Sequence, residues 1–346
     1  MAIYCIDPTT DRRWGEFLAR HPRASVFHTV AWLKALRRTY GYKSVVYTTS
    51  APGEDLQNGV VFCLIDSWLT GRRLVSLPFS DHCEPLVDST SDLQDLLTFL
   101  QRQFAEENWR YVEMRPLNAL SGTSASFRQG EKFCFHQLDL TPNLDTIFRS
   151  FHKDSTQRKI RRAEREGLEQ EEGHSESLLD IFYRLQMLTR RRHRLPPQPK
   201  SWFRNLIDCF GEALKIRVAL KDGQPAASIL TLCYKDTLVY KYGCSDSRFN
   251  NLGGMHLLLW RSIQDAKERG LRTFDLGRSD LDNSGLITFK DRWDANQSIL
   301  TYVRFPTELF QRGGTDWKLR IVKRVFAHAP DTFLSAVGNI LYKHIG

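Results

Sequence analysis

Apolar residues recur at helical spacing over some stretches of this chain and alternate with polar ones over others. The spacing predicts helices over 14–20 and 31–40, then strands over 43–49, 59–66 and 72–79, with Pro52-Gly53 and Asn58-Gly59 as turns. Leu93, Leu96, Leu97, Leu100 and Phe104 share one face of an amphipathic helix over 92–108. A strand over 111–115, a Ser-rich loop near 118–131 and a strand over 135–140 complete the first part. The second part reads as helices over 143–167 and 176–193, a proline-rich break at 195–199 and a short helix near 202–210. Strands follow over 215–221, 225–234 and 237–244, turned by Asp222-Gly223 and Lys235-Asp236. A helix over 254–269 closes on Gly270. It leads to a strand over 273–277, a short helix over 286–293 and a last strand over 298–305. Beyond Pro306, a tail over 307–346 carries two amphipathic helices, the first around 317–326, parted by Ala329-Pro330.

The two parts read as versions of one unit. LVSLPF leads through Ser80-Asp81 and a helix to RYVEMR; LVYKYG leads through Ser245-Asp246 and a helix to RTFDLG. Glu113 and Asp275 fall at the same place in the closing strands. The expected fold class is therefore α/β (α+β), with two tandem domains over 1–150 and 151–306, each a mixed sheet flanked by helices, and a helical tail.

Charge sharpens the picture. Residues 1–150 hold 16 basic and 17 acidic side chains, whereas 151–346 hold 33 and 23, so the net +9 belongs to the second part. A localised anionic partner is the natural reading. The N-terminus shows no apolar signal segment, and the longest apolar runs are far short of the ~20 residues of a membrane helix. Seven cysteines without a CxxC pair point to buried thiols in a reducing cytoplasm rather than to disulfides or a metal.

Four segments carry candidate chemistry. In the loop from Arg248 to Gly254, Arg248, Asn250, Gly253 and Gly254 either cradle the phosphates of a donor at a helix N-terminus or simply turn the chain. Asp275, Arg278 and Ser279 lie at the C-terminal end of a strand, with Lys290 and Trp293 on the next short helix. This is either a ligand crevice or an ion-paired loop. Arg158, Arg161, Arg162 and Arg165 share a helix face. That stripe either meets a phosphate-rich partner or is a solvated surface. A second cluster is Arg190, Arg191, Arg192 and Arg194. In Asp81-His82-Cys83-Glu84, Asp81 and His82 either line an acceptor pocket or form a capped turn. Adjacent residues of an extended segment point apart, which disfavours a His82–Cys83 nucleophile pair.

These residues resemble a known family. Residues from about 150 to 306 are similar to the Fem-type branch of the GNAT superfamily, in Gln157 to Ala163 with Gly167-Leu168, in the helix from Met255 to Gly270, in Phe274 to Gly277, and in Gly285-Leu286 with Phe289-Lys290. FHTVAWLKAL and LPFSDHCEPLV in the first part also resemble that group. The resemblance implies two tandem GNAT-like domains and acyl or aminoacyl transfer to an amine or hydroxyl of an envelope or polysaccharide precursor. Asp275 would position the acceptor or act as base, Arg278 and Lys290 would bind an anionic group, and Gly253-Gly254 would lie near donor phosphates. The expected donor is acyl-CoA or acetyl-CoA, and no metal is expected. Two departures bear on the donor: no long helical insertion is present, and the usual CoA loop spacing is not met.

Three functions follow as expectations: an acyltransferase using acyl-CoA; an aminoacyl-tRNA-dependent peptidyltransferase acting on a peptidoglycan precursor; and a non-catalytic basic adaptor for membrane or nucleic acid. The expected partner is an anionic or lipid-linked precursor, with tRNA only in the second reading. The expected location is cytoplasmic, with peripheral contact at the inner membrane through the cationic tail as an alternative to its packing on the body.

Overall fold

The structure, a computed structural model, describes residues 2–120, 127–306 and 331–345. The described residues fall into two compact units. Unit 1 holds 2–120, 127–133, 300–306 and 339–345, and unit 2 holds 134–299 and 331–338. The first of the two expected tail helices lies outside the described residues.

Unit 1 is built from β1 (Tyr4–Ile6), α1 (Arg12–Arg20), α2 (Val30–Tyr40), β2 (Lys43–Thr48), β3 (Val60–Ile65), β4 (Arg73–Val75), α3 (Thr90–Glu106) and β5 (Val112–Met114). Caps explain where the helices start. Asp11 accepts from Arg13 N, Thr29 from Trp32 N and Ser89 from Asp92 N, each meeting an otherwise orphaned amide. The long strand β6 (Arg128–Asp139) then carries the chain into unit 2.

Unit 2 contains α4 (Leu144–Ser150), α5 (Arg158–Arg165), β7 (Glu169–Gly173), α6 (Glu176–Arg192), α7 (Lys200–Phe210), β8 (Leu214–Lys221), β9 (Gln224–Tyr234) and β10 (Thr237–Ser245). It continues with α8 (Gly254–Glu268), β11 (Thr273–Asp280) and α9 (Ser284–Asp291). Strand β12 (Asn296–Phe305) runs back into unit 1, and α10 (Asp331–Ile345) follows. Asp222 and Gly223 both have positive φ, as the tight hairpin between β8 and β9 requires.

The two units share one topology. In unit 1, β1 to β4 are successive antiparallel neighbours, and β4 pairs with β5 in parallel. In unit 2, β7 to β10 repeat that meander, and β10 pairs with β11 in parallel. The registers coincide: Val75 faces Glu113, and Val239 faces Asp275. The sixth strand is exchanged. β12 follows β11 in sequence but pairs with β5, while β6 follows β5 in sequence but lies beside β11. Each sheet packs its own core, around Phe62, Leu96, Leu100 and Met114 in unit 1 and around Phe151, Leu258, Ile263 and Phe274 in unit 2.

Three expectations are corrected. The strand expected over 72–79 ends at Val75, because Leu77 and Phe79 take positive φ and the Arg115 guanidinium draws in the Leu77 carbonyl. The loop expected to 131 is already strand from Arg128. The helix expected over 143–167 breaks at Phe151, and a π-helical turn over Lys153–Gln157 precedes α5. Strand β7 lies in a stretch to which the sequence pattern assigns no element; Glu172 pairs with Lys215 and Arg217 of the neighbouring strand, so cross-strand charge holds the edge.

Candidate functional site

In unit 2 the β10–β11 pairing covers only Thr237–Val239 against Thr273–Asp275, although both strands run on. β10 is irregular between Tyr240 and Tyr242, and β11 bends at Gly277, whose φ is +73°. The strands therefore part at their C-terminal ends, the place where α/β sheets hold ligands.

Two buried side chains fix that bend. Asp275 Oδ1 accepts from Gly277 N at 2.7 Å. Lys290, on α9, donates from Nζ to the Gly277 carbonyl at 2.8 Å and to the Arg278 carbonyl at 3.0 Å. Asp275 is 1% exposed and Lys290 2%. An ammonium this deep is tolerated because backbone oxygens replace its water. Ser279 is equally buried, and its Oγ has no hydrogen-bond partner. α9 itself starts on Asn283, which accepts from Leu286 N.

The structure brings Asp275, Arg278, Ser279 and Lys290 together and separates the others. Trp293, expected to line a ligand, is 1% exposed and packs on Phe151 and His256, so it belongs to the core. Gly253 has φ +86°, and a Cβ there would collide with the Lys159 carbonyl oxygen. A Cβ on Gly254 would press on Ala227 and Ala219. Helix packing alone accounts for both glycines. Replacing Gly253 by Ala should destabilise the fold by about 2–4 kcal/mol, read as a lower denaturation midpoint. Arg248 is an exposed side chain paired with Asp246 at 2.7 Å, beside a cleft of about 390 Å³ that Arg184 and Gln224 also line. Asn250 is exposed.

Ile160 and Ala163 bury one side of α5 and leave its arginines at the surface. Arg162 pairs with Glu166 at 3.6 Å, and Arg161 lies over the Phe148 ring. Arg158 and Arg165 make no ion pair among the described residues, so part of the stripe's repulsion stays unrelieved.

Unit 1 spends the equivalent groups on structure. Burial alone would raise the pKa of Glu113, but Arg115 and Arg304 outweigh it and hold the carboxyl below its ordinary value. Arg115 contacts it at 2.9 Å and also donates to the Leu77 carbonyl. His82 is buried edge-on against Phe27, and the Asp81 carbonyl accepts from Tyr302. Cys83 lies 3.5 Å from His28 Nε2, and burial pushes its thiol far up, so it is no nucleophile.

A pair that sequence reading missed is His136 on β6 and Asp291 on α9, 2.9 Å apart. Its sequence signal is an imidazole directly after the apolar run Phe133-Cys134-Phe135.

Two further imidazoles set an acid response. Burial lowers the pKa of His28 to about 4 and that of His256 to about 3. Unfolded imidazoles protonate near pH ~6.5, whereas these refuse the proton in the fold, so stability falls as pH drops below that value. Denaturant titrations at pH 7 and pH 5 should differ by about 2 kcal/mol for each imidazole. His28→Gln should reduce the difference.

Comparison with known proteins agrees with this arrangement. The family model described as an acetyltransferase (GNAT) domain matches residues 151–290. A UDP-N-acetylmuramoylpentapeptide-lysine N(6)-alanyltransferase from Weissella viridescens is 28% identical over 159 residues, which cover 44% of this chain and 46% of that protein. The match thus spans less than half the length of that curated relative. The crystal structure of FemX superposes with a TM-score of 0.68 at 16% identity, covering 87% of this chain and 97% of its own. A tandem GNAT protein from the clavulanic acid biosynthesis pathway gives 0.54 at 11% identity, covering 88% and 97%. These structural likenesses establish the fold, two tandem GNAT-like units. Among the described residues, no helix is long and apolar enough to cross a membrane.

Proposed function

We propose, from the match of residues 151–290 to the acetyltransferase (GNAT) family model and the likeness to Fem-type proteins, that the protein moves an aminoacyl group from charged tRNA to a primary amine of a peptidoglycan precursor. The observation that carries this reading is the match to an alanyltransferase whose name specifies a lysine N(6) acceptor. Acyl-CoA, the donor first expected, is the competing reading, favoured by the acetyltransferase description of the family model. The packing account of Gly253 and Gly254 removes one reason to expect CoA phosphates at that loop. The exposed arginines Arg158, Arg161 and Arg165 suit an extended polyphosphate backbone.

In this reading the acceptor nitrogen attacks the ester carbonyl at the parted ends of β10 and β11. The C–N bond forms, the ester C–O bond breaks, and the amine's proton leaves as the ribose hydroxyl takes one up. Negative charge gathers on the carbonyl oxygen in between. The Lys290 ammonium, fixed by two backbone carbonyls, supplies the nearby positive charge. Asp275 is a positioning residue that sets the Gly277 bend, and Arg278 and Ser279 line the crevice. Trp68, 84% exposed, and Leu69 would let unit 1 touch a membrane that holds a lipid-linked precursor.

Calorimetric titration of the full chain tests the donor. Charged tRNA should bind with an affinity that falls steeply with salt. Tight binding of acetyl-CoA with no binding of tRNA would overturn the tRNA reading.

A further inference from the structure

Three side chains of unit 2 form a row that the transfer step leaves unused. The Cys134 thiol lies 3.7 Å from His136 Nδ1 and 3.8 Å from Nε2, and His136 Nε2 lies 2.9 Å from Asp291 Oδ1. Cys134 and His136 are two residues apart in β6, so they share a face. The imidazole is wholly buried, and the Asp291 side chain is 45% exposed.

Chemistry sets the direction of the row. The buried imidazole carries one N–H, and a carboxylate can only accept, so that hydrogen sits on Nε2. Cys134 Sγ is nearly equidistant from both ring nitrogens, so it packs against the ring rather than aiming at Nδ1. The directed hydrogen bond runs from the imidazole to the carboxylate. In a thiol-nucleophile triad the sulfur meets the substrate; here the carboxylate meets solvent.

Asp291 adjoins the candidate site along the chain. It follows Lys290, the residue clamped to Gly277 and Arg278, and it ends α9. Its Oδ1 is taken by His136, and its Oδ2 makes no hydrogen bond or ion pair among the described residues. An oriented, half-exposed carboxylate one residue from Lys290 suits one chemical class, a protonated primary amine.

We propose that Asp291, oriented by His136, binds the primary ammonium of the acceptor. The inference rests on the amine-acceptor reading above and names the group that would select such an acceptor. His136 acts through Asp291 and is a positioning residue.

The test uses the full chain and two probes, Nα-acetyl-L-lysine methylamide and its Nε-acetylated form, titrated by calorimetry up to millimolar concentration. The lysine probe should bind the natural protein, and the Nε-acetylated probe should not. Asp291→Asn keeps an oxygen for His136 and should weaken the lysine probe about tenfold or more. His136→Asn should weaken it less. If that variant fails to fold, the Asp291→Asn result stands alone, because Asp291 is at the surface. No binding of the lysine probe, equal binding of both probes, or unchanged binding by Asp291→Asn would overturn the proposal. The two readings fail separately. If no donor supports transfer but lysine binding still requires Asp291, the ammonium site stands and the transferase reading falls. If transfer to a lysine acceptor is unchanged in Asp291→Asn, the reverse holds.

Discussion

Replacing Lys290 by methionine is expected to lower kcat for transfer by about 10²–10³-fold, the usual effect of removing one preorganised group that stabilises a developing oxyanion. Methionine keeps most of the volume of the stem and removes the charge and all three donors. Lys290 is 2% exposed and holds the Gly277 and Arg278 carbonyls, so the change also leaves two buried acceptors unmet. Each unmet group costs about 1–3 kcal/mol, so the melting temperature should fall as well. The two effects separate by temperature. An electrostatic role predicts that kcat stays depressed well below the variant's own melting temperature, with KM for donor little changed. A structural role alone predicts that activity returns on cooling.

The second large effect concerns stability. Arg217 of β8 is 1% exposed and contacts Asp265 of α8 at 2.6 Å and Glu172 of β7 at 2.9 Å. Its remaining donor reaches Thr231 Oγ1 at 3.2 Å. The guanidinium is deeply buried, whereas both acids are partly open to water at 28% and 38%. Removing Asp265 leaves the buried cation with a single, partly exposed carboxylate, while removing the cation lets the acids rehydrate. Asp265→Ala should cost about 3 kcal/mol or more, and Arg217→Met should cost less. Urea denaturation of both variants checks the order. If Arg217→Met proved the more damaging, packing of the arginine stem would outweigh its charge.

The repeated unit was legible because it is written in local terms. A strand, a serine-aspartate pair, a helix and a closing strand with one acid recur in order, and the registers at Val75 with Glu113 and Val239 with Asp275 coincide. Most helices were legible to within a few residues, and Ser89, Ser175 and Asn283 cap three of them. The bend at Leu77 and Phe79 was not, because it depends on Arg115 reaching across from β5. Nor was β7, whose acids are strand-forming only opposite the cations of β8.

The candidate site divides the same way. Asp275, Arg278, Ser279 and Lys290 stood out as polar residues at a strand end. His136 did not, since it lies far from Asp291 in sequence and meets it only because β6 settles beside β11. Gly253 and Gly254 left a phosphate cradle and a plain turn open in sequence, since crowding by Lys159, Ala219 and Ala227 leaves no trace in a linear motif.

One measurement bears most directly on the central claim. The full chain is incubated with a lysine-bearing peptidoglycan precursor and either alanyl-tRNA labelled in its alanine or acetyl-CoA labelled in its acetyl group. The account predicts label on the lysine side chain from alanyl-tRNA, at a rate that Lys290→Met lowers at least about a hundredfold. Label arriving only from acetyl-CoA would contradict the proposed donor, and label arriving from neither would contradict the proposed transfer itself.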